Sequence, residues 1–581
     1  MTKPRFAPDR DEVPTLSSLG VTLHEDTIKY VYDPVALTDS LGGNGIKDIF
    51  ASWTVFVGAF AACMGGLLFG FDQGILAISL TMPQFLSTFP ETDASVTSSA
   101  GLNKGQVHPR KQVMTGLLEL GAFLGALQAG YLADRFSRKM AIVIGSVWFI
   151  IGSTLQASAF SFSQLVVGRF IGGIGIGILS STAPMYISEI SPPNVRGALL
   201  VLESNLIVLG VIIMFYITYA TRHMASDWAF RLPFTVQMAP CVVLAFTLWQ
   251  LPYSPRWLAL RGRDMEALES LARLRSLPKE DPRVQAEWIT VRAEAIHNRE
   301  VLVAAHPSLQ GVDWRSELKL EAASWADMFR PKLIRQTMIG IMLMFFQQFV
   351  GINALVYYSP TLFQQLGLDY ELQLTLSGVL NIAQFTAIAI AFLILDKVGR
   401  RPPLLWGAVG MAASHFIVAA MIATYENDWA SHPTQAWVGV GFIFGFMMCY
   451  GIGWGPVPWT MPAEVLNSSR RAKGVALATC SNWFNNFIIG LVTPPMIQGA
   501  RYGTFIFFGA FATLAGVWTW FFVPETKGRT LEQMDEVFHG HAAHEELAAK
   551  RQIMEIVCGE ALQRGPAEYG AKDETEMVES M

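Results

Sequence analysis

Two ionisable side chains interrupt long apolar stretches of this sequence. Asp72 follows Leu68-Phe-Gly-Phe, and Arg169 follows Gly168 in a glycine-rich run. An unpaired charge at the centre of a bilayer costs at least about 2.5–3.5 kcal/mol, so such residues usually face a cavity and pair. A carboxylate paired with arginine is ionised, and its protonation releases the arginine. The two residues therefore predict an ion pair inside the membrane, which would at least position two helices.

A second set of polar side chains in apolar stretches consists of amides and tryptophans. Its members are Gln347, Gln348, Asn353, Asn381, Trp459, Asn482, Trp483 and Asn486. Burying an amide in hydrocarbon without a hydrogen-bond partner is costly, so the set predicts a polar cavity among helices. Hydrogen bonding between helices is an alternative for any single asparagine, but it explains the whole set poorly.

The elements that position these residues are membrane spans. Of the 581 residues, 52% are hydrophobic and 15% are charged, and the mean hydropathy is +0.36. Soluble proteins carry about 25% charged residues. A helix needs about 20 apolar residues to cross a bilayer, and hydropathy predicts twelve such segments. They start near Ile49, Val113, Met140, Gln164, Ala198, Leu232, Arg335, Leu374, Pro403, Trp437, Gly474 and Tyr502.

The remaining segments are hydrophilic. A charged stretch of residues 253–332 separates the sixth and seventh spans, and its amphipathic segments predict short surface helices. We expect the tail of residues 1–48 to lack regular structure and the tail of residues 525–581 to be partly helical. Basic residues cluster on alternate loops, which places both tails and the central stretch in the cytoplasm.

An internal repeat divides the spans into two halves. Asp134 and Arg138 recur as Asp396 and Arg400, and Glu189 and Arg196 recur as Glu464 and Arg471, in the same order and at nearly equal separation. Parallel repeats of this kind form two six-helix halves with a substrate site between them.

The repeated charges lie at cytoplasmic ends of helices. Pairs of this partly wet kind are worth about 0–1 kcal/mol each, so they bias an equilibrium without locking it. We therefore predict a cytoplasmic charge network that holds the inner side shut in part of a cycle. The alternative, that the charges only fix membrane topology, explains the basic residues but not the recurring acids.

Several motifs resemble those of sugar porters of the major facilitator superfamily, in particular fungal-type monosaccharide transporters. The motifs are Gly130-Tyr-Leu-Ala-Asp134-Arg135-Phe-Ser-Arg138-Lys139, Pro184-Met-Tyr186-Ile-Ser-Glu189, Ser254-Pro255-Arg256-Trp257-Leu258, Gln347-Gln348-Phe-Val-Gly351-Ile-Asn353 and Pro524-Glu525-Thr526-Lys527-Gly528-Arg529. The resemblance implies an all-α membrane protein with twelve helices in two pseudo-symmetric six-helix bundles. It also implies transport of a monosaccharide, a hexose such as glucose, by alternating access.

With this resemblance the chain divides into five parts. These are an N-terminal tail (1–48), an N-terminal bundle (49–252), a cytoplasmic helical linker (253–332), a C-terminal bundle (333–524) and a C-terminal tail (525–581).

The resemblance also assigns roles to residues. Asp72 and Arg169 would couple a proton to transport, and Tyr357 and Tyr358 would form an extracellular gate. The positions that would contact sugar are Gln347, Gln348, Asn353, Asn381, Trp459, Asn482, Trp483, Asn486, Phe69 and Ser204.

One position departs from the family pattern. Ser204 stands where the family usually has a sugar-bonding glutamine, and the preceding residue is Glu203. The exact solute therefore stays open among hexoses, pentoses, disaccharides, inositol and quinate. A facilitative uniporter without proton coupling and a non-transporting sugar sensor are further alternatives.

Other protein classes fit poorly. A net charge of −5 does not suggest a nucleic-acid partner, and the cysteines and histidines show no metal-ligand spacing. We expect no enzymatic activity and no cofactor, because there is no nucleophile–base set. The glycines between Gly168 and Gly177 follow no strand, so they indicate close helix packing rather than a nucleotide loop. The expected partners are a sugar, protons and the lipid bilayer, with a monomer as the functional unit, in the plasma membrane.

Overall fold

The computed structural model describes residues 25–41, 53–92, 109–192, 196–306, 314–331, 333–466, 471–527 and 552–557. Twelve helices of this part are long and apolar enough to cross a membrane, and they are numbered here span 1 to span 12. Their bounds are Trp53–Ser79, Gln112–Phe136, Arg138–Ala157, Phe162–Ile190, Leu199–Thr221, Trp228–Gln250, Ile334–Gln365, Tyr370–Leu395, Arg401–Tyr425, Pro433–Val465, Lys473–Gly499 and Tyr502–Phe522. Each predicted start lies within four residues of the observed one.

The spans form two bundles of six. In the N-terminal bundle span 4 packs against spans 2 and 3, and span 1 packs against span 5. In the C-terminal bundle span 9 packs against spans 10 and 12, and span 7 packs against span 11. The bundles meet along two main seams, between spans 2 and 11 and between spans 5 and 8. This arrangement confirms the predicted all-α, two-bundle fold.

The glycines of span 4 allow its backbone to lie directly against span 2. A Cβ atom added to Gly173 would lie 2.1 Å from the carbonyl oxygen of Leu118, and one added to Gly177 would lie 2.0 Å from that of Ala122. No larger residue fits such a contact, so these positions set the separation of the helices. The close approach brings Arg169 of span 4 beside the outer part of span 2.

Spans 7 and 10 are interrupted near the middle of the membrane. Span 7 consists of helices Ile334–Phe349 and Ile352–Gln365, joined at Gly351, whose φ of +94° suits glycine. Span 10 consists of helix Pro433–Cys449, a π-helical segment Tyr450–Trp454 and helix Val457–Val465. Interrupted helices expose backbone groups, and in transporters such groups line the binding cavity.

The linker between the bundles is helical, as predicted. Its helices are Pro255–Leu260, Asp264–Arg275, Pro282–Ala305 and Trp314–Asp327. The first three build a small core of their own around the buried Trp288 and Leu271.

Part of the N-terminal tail is ordered on this linker. Residues Glu25–Tyr32 and Pro34–Leu41 form two helices, so the expectation of an irregular tail is wrong for residues 25–41. Val31 is buried in the linker core, and Thr27 Oγ1 donates to Gln285 Oε1 at 3.0 Å. A helix of residues 552–557 also reaches this core through Ile553, in agreement with a partly helical C-terminal tail.

Candidate substrate and proton site

Asp72 and Arg169 form an ion pair inside the N-terminal bundle. Arg169 Nη2 lies 3.2 Å from Asp72 Oδ2, and the side chains are 0% and 1% exposed, respectively. Arg169 Nε also donates to the carbonyl oxygen of Met114 at 2.8 Å, which connects span 4 to span 2. The predicted pairing of the two residues is therefore present in this conformation.

Gln73, the residue after Asp72, connects this pair to the C-terminal bundle. Its Nε2 donates to the Tyr357 hydroxyl at 3.0 Å and to Asn353 Oδ1 at 3.3 Å. Asn486 Nδ2 of span 11 also donates to the Tyr357 hydroxyl, at 3.3 Å. Asn353 Nδ2 in turn donates to Gln348 Oε1. Four of the residues predicted to contact sugar or form the gate thus share one hydrogen-bonded chain with span 1.

A second group of amides lies against the interruption of span 10. Gln347 Nε2 donates to the carbonyl oxygens of Trp454 and Gly455 at 2.8 and 3.1 Å. Its Oε1 accepts from Asn482 Nδ2 of span 11 at 2.7 Å. The carbonyl groups of Trp454 and Gly455 at the end of the irregular segment therefore accept hydrogen bonds from Gln347. These bonds, together with the one from Asn482, fix the orientation of Gln347.

A cavity lies in the inner half of the protein, between the two bundles. From the N-terminal bundle it is lined by Phe69, Glu203 and Ser204, and from the C-terminal bundle by Trp459 and Thr479. Its lining is mainly apolar, with a few polar side chains, as is usual for small-molecule sites. The predicted site residues Phe69, Ser204 and Trp459 are thus brought together.

Trp483 joins the bundles at this cavity. Its indole Nε1 donates to Ser180 Oγ of span 4 at 3.0 Å, and its ring meets the ring of Phe69 edge-on, with centroids 4.7 Å apart. The indole therefore connects the two halves through Phe69 and Ser180, which both line the cavity.

The outer end of the central region is closed by further contacts between bundles. The Tyr358 hydroxyl donates to Thr115 Oγ1 of span 2 at 3.1 Å. Near the surface, Arg222, directly after span 5, pairs with Glu371 of span 8 at 2.6 Å. Together with the contacts of Tyr357, these place both predicted gate tyrosines at closed seams.

The repeated charges, which are predicted to lie on the cytoplasmic side, are connected in the same way in both bundles. Arg138 pairs with Glu189 at 2.9 Å, and Glu189 also accepts from Ser254 just after span 6. At the matching place, Arg400 pairs with Glu464 at 3.0 Å, and Glu464 accepts from Thr526 just after span 12 at 2.7 Å.

The structure describes only some of the other predicted members of this charge network. Asp134 lies 2.9 Å from Arg138. The side chains of Arg196, Asp396 and Arg471 lie outside those that the structure describes. Each observed pair joins helices of one bundle, so in this conformation these pairs stabilise each half.

The sequence analysis missed three polar residues of the site. Gln73 and Ser180 supply contacts between the bundles, and Glu119 of span 2 is fully buried near Arg169. Glu119 and Gln73 have a sequence signal, since an acid and an amide each interrupt an apolar run, whereas Ser180 has none. Asn381 is buried in span 8 and is not a member of the hydrogen-bonded chain described above. Among the described residues, no cluster of His, Cys, Asp and Glu is arranged to hold a metal ion.

This fold and this site define a multi-pass integral membrane protein of the transporter class, with its central site between two six-helix bundles. The sequence profile of the family "Sugar (and other) transporter" matches residues 58–538, and the chain belongs to this family.

Individual relatives agree with this assignment. The chain is 30% identical to the high-affinity glucose transporter of Kluyveromyces lactis, over 84% of this chain and 85% of that protein. It is 31% identical to the high glucose sensor RGT2 of Saccharomyces cerevisiae, over 84% of this chain but only 60% of the sensor. The structure of the proton:xylose symporter XylE of E. coli bound to 6-bromo-6-deoxy-D-glucose matches with a TM-score of 0.68 at 26% identity, covering 84% of this chain and 99% of that one.

Proposed function

We propose that this protein carries a monosaccharide, a hexose such as glucose, across the membrane together with a proton, by alternating access. The observation that carries the proposal is the buried Asp72–Arg169 pair, whose neighbour Gln73 is hydrogen-bonded to the amide chain of the opposite bundle. The protein acts as a carrier, not as an enzyme.

The coupling follows from the chemistry of the pair. An ionised Asp72 is held by Arg169, and protonation removes the charge that holds it. Asp72 and Gln73 are adjacent on span 1, so release of Asp72 frees the segment that contacts Asn353 and Tyr357. A proton on one side of the interface therefore changes the hydrogen bonds available on the other side.

The sugar would occupy the space between the amide chain and the inner cavity. A sugar carries hydroxyl groups all round, and amides offer both donors and acceptors to them. Gln347, Gln348, Asn353, Asn381, Asn482 and Asn486 would supply these groups, mostly from the C-terminal bundle. The rings of Phe69, Trp459 and Trp483 would cover the C–H faces of the sugar.

Glu203 favours a neutral solute. Its carboxyl group lines the cavity next to Ser204, in a mainly apolar wall. The described residues that line the cavity include no basic residue, so an anionic polyol such as quinate would find no opposite charge there, whereas a neutral hexose can form a hydrogen bond with the carboxyl group in either protonation state. The pair Glu203 and Ser204 would thus take the place of the glutamine usual in the family.

Alternating access would be a rocking of the bundles 49–252 and 333–524 about the central site. The closed outer seams would belong to an inward-facing state, in which each cytoplasmic pair stays within its own bundle. In the opposite state, the helix ends would meet and the charges would bridge the halves. The protein would be located in the plasma membrane, with both tails and the linker (253–332) on the cytoplasmic side. A monomer would be the functional unit.

The test is transport by the purified full-length protein in liposomes. We expect labelled hexose to accumulate under an inward proton gradient and to leave when a protonophore is added. Equilibration that ignores the gradient would identify a uniporter instead. A panel of competing pentoses, disaccharides, inositol and quinate would define the solute.

A sensor is the second candidate, because the chain is 31% identical to a named glucose sensor, although it covers only 60% of that protein, against 85% of the glucose transporter. Binding of hexose without any entry or counterflow in the same liposomes would favour the sensor.

A further inference from the structure

Glu119 of span 2 is a buried acid outside the Asp72–Arg169 pair. Its side chain is 0% exposed, and it lies within electrostatic range of both Arg169 and Asp72. Neither of its carboxylate oxygens has a hydrogen-bond partner among the described residues. The backbone contact between Leu118 and Gly173, described above, fixes this residue beside span 4. A buried carboxyl group in this position requires an explanation.

The three ionisable groups do not balance in charge. Two carboxyl groups share one guanidinium, so two ionised carboxylates would leave an uncompensated negative charge in an apolar interior. One proton on either carboxyl group removes it. Arg169 uses Nη2 for Asp72 and Nε for Met114, and its Nη1 has no partner among the described residues. The guanidinium can therefore serve either acid.

Tyr357 of the predicted outer gate lies beside Glu119. The tyrosine hydroxyl accepts from Gln73 and Asn486, so its own proton remains to be donated. Glu119 lies beside this hydroxyl, although the two groups do not meet in hydrogen-bond geometry in this conformation. An ionised Glu119 would accept a strong charge-assisted bond, and a protonated one only a weaker bond.

The other titratable groups near Glu119 come from the helices that pack around it. Span 4 contributes Arg169, span 1 contributes Asp72, and span 7 contributes Tyr357 and Tyr358. Spans 3 and 11 carry no acidic, basic or histidine residue within 140–157 and 474–499.

We propose that Glu119 is a second proton-carrying group of the transport cycle, which competes with Asp72 for Arg169 and links its own protonation to the gate at Tyr357. The proton of the cycle then moves between two carboxyl groups. When Asp72 is protonated, Arg169 turns to an ionised Glu119. When Glu119 is protonated, Arg169 holds Asp72 and the bond from Tyr357 is weakened. The inference rests on the proposed proton symport.

The experiment compares Glu119→Gln, which keeps shape and removes the acid, with Glu119→Asp, which keeps the acid. In liposomes with an inward proton gradient, Glu119→Gln should lose accumulation of hexose while counterflow continues and becomes insensitive to pH. Glu119→Asp should restore part of the accumulation. Accumulation by Glu119→Gln at the wild-type level, with the same number of protons per sugar, would overturn the proposal.

A second measurement does not depend on transport. Infrared difference spectra of the reconstituted protein between acidic and alkaline buffer should contain a carboxyl band that Glu119→Gln removes and a separate one that Asp72→Asn removes. An unchanged spectrum in Glu119→Gln would overturn the proton-carrying role. If the wild type shows no proton-driven accumulation, the symport proposal fails, and this band still decides whether Glu119 exchanges a proton.

Discussion

The Nε2 atom of Gln73 donates a hydrogen bond of 3.0 Å to the hydroxyl of Tyr357, which connects the first helix of one bundle to the first helix of the other. Asn486 of span 11 donates to the same oxygen. The hydroxyl of Tyr357 therefore joins spans 1, 7 and 11. Its donor on span 1, Gln73, directly follows Asp72 of the Asp72–Arg169 pair. The proposed proton site, the proposed sugar-binding amides and the proposed outer gate are consequently connected by hydrogen bonds.

Asp72→Asn tests the proton site. The amide keeps the size of the side chain but cannot be ionised, so accumulation driven by a proton gradient should be abolished while counterflow persists. Uptake and counterflow in liposomes measure the two quantities separately. Asp227→Asn is the matched control, because Asp227 is 58% exposed in a loop, and it should behave as wild type. Loss of both activities in Asp72→Asn would instead support a purely structural ion pair.

Tyr357→Phe tests the outer gate. The substitution removes one acceptor shared by two hydrogen bonds, each worth about 1 kcal/mol, so the outer side should open about thirtyfold more often. The measurement is the labelling rate of Thr115→Cys by a membrane-impermeant maleimide, in a background without the native cysteines.

Tyr502→Phe, which alters a tyrosine 44% exposed at the outer start of span 12, should leave that rate unchanged. Equal labelling rates in Tyr357→Phe and its parent would contradict the assignment of Tyr357 to the gate.

Ser204→Gln tests the departure from the family pattern. A longer amide at this wall of the cavity should reach the sugar and add one net hydrogen bond of about 1 kcal/mol, which lowers the KM for hexose about fivefold. Ser158→Gln on the exposed outer end of span 3 is the control. A higher KM in Ser204→Gln would mean that the serine leaves space that a larger solute needs.

Glu525→Gln tests the segment after span 12. Burial raises the pKa of Glu525, but the backbone N–H groups of Arg400, Lys527, Arg401 and Thr526 donate to its carboxylate and hold the pKa below its usual value. The stabilisation is therefore present above the ordinary pKa of glutamate and is lost as the pH falls through the lowered pKa.

We expect the variant to unfold about 2–4 °C below wild type in detergent at neutral pH, with the difference shrinking in acid. Glu266→Gln, which breaks an exposed linker pair with Arg263, should have almost no effect. A difference that grows in acid would rule out this role of Glu525.

The spans, the repeat and the pairing of Asp72 with Arg169 could be predicted from the sequence alone. Hydropathy is a local property of about 20 consecutive residues, so span starts can be predicted from composition alone. The cost of an isolated charge in the membrane then requires Asp72 and Arg169 to find each other. The order of the repeated charges fixes two equivalent halves without any knowledge of distances.

Only the tertiary structure decided which polar groups share the site. Gln73 meets Tyr357 across 284 positions of the chain, and Trp483 meets Ser180 across 303. Such contacts depend on the rotation and separation of helices, which are set by glycine positions such as Gly173 against Leu118. A periodic pattern shows which face of a helix is apolar, but it does not show which helix lies opposite. For the same reason Glu119, although visible as an acid in an apolar run, gained its place beside Arg169 only from the packing of spans 2 and 4.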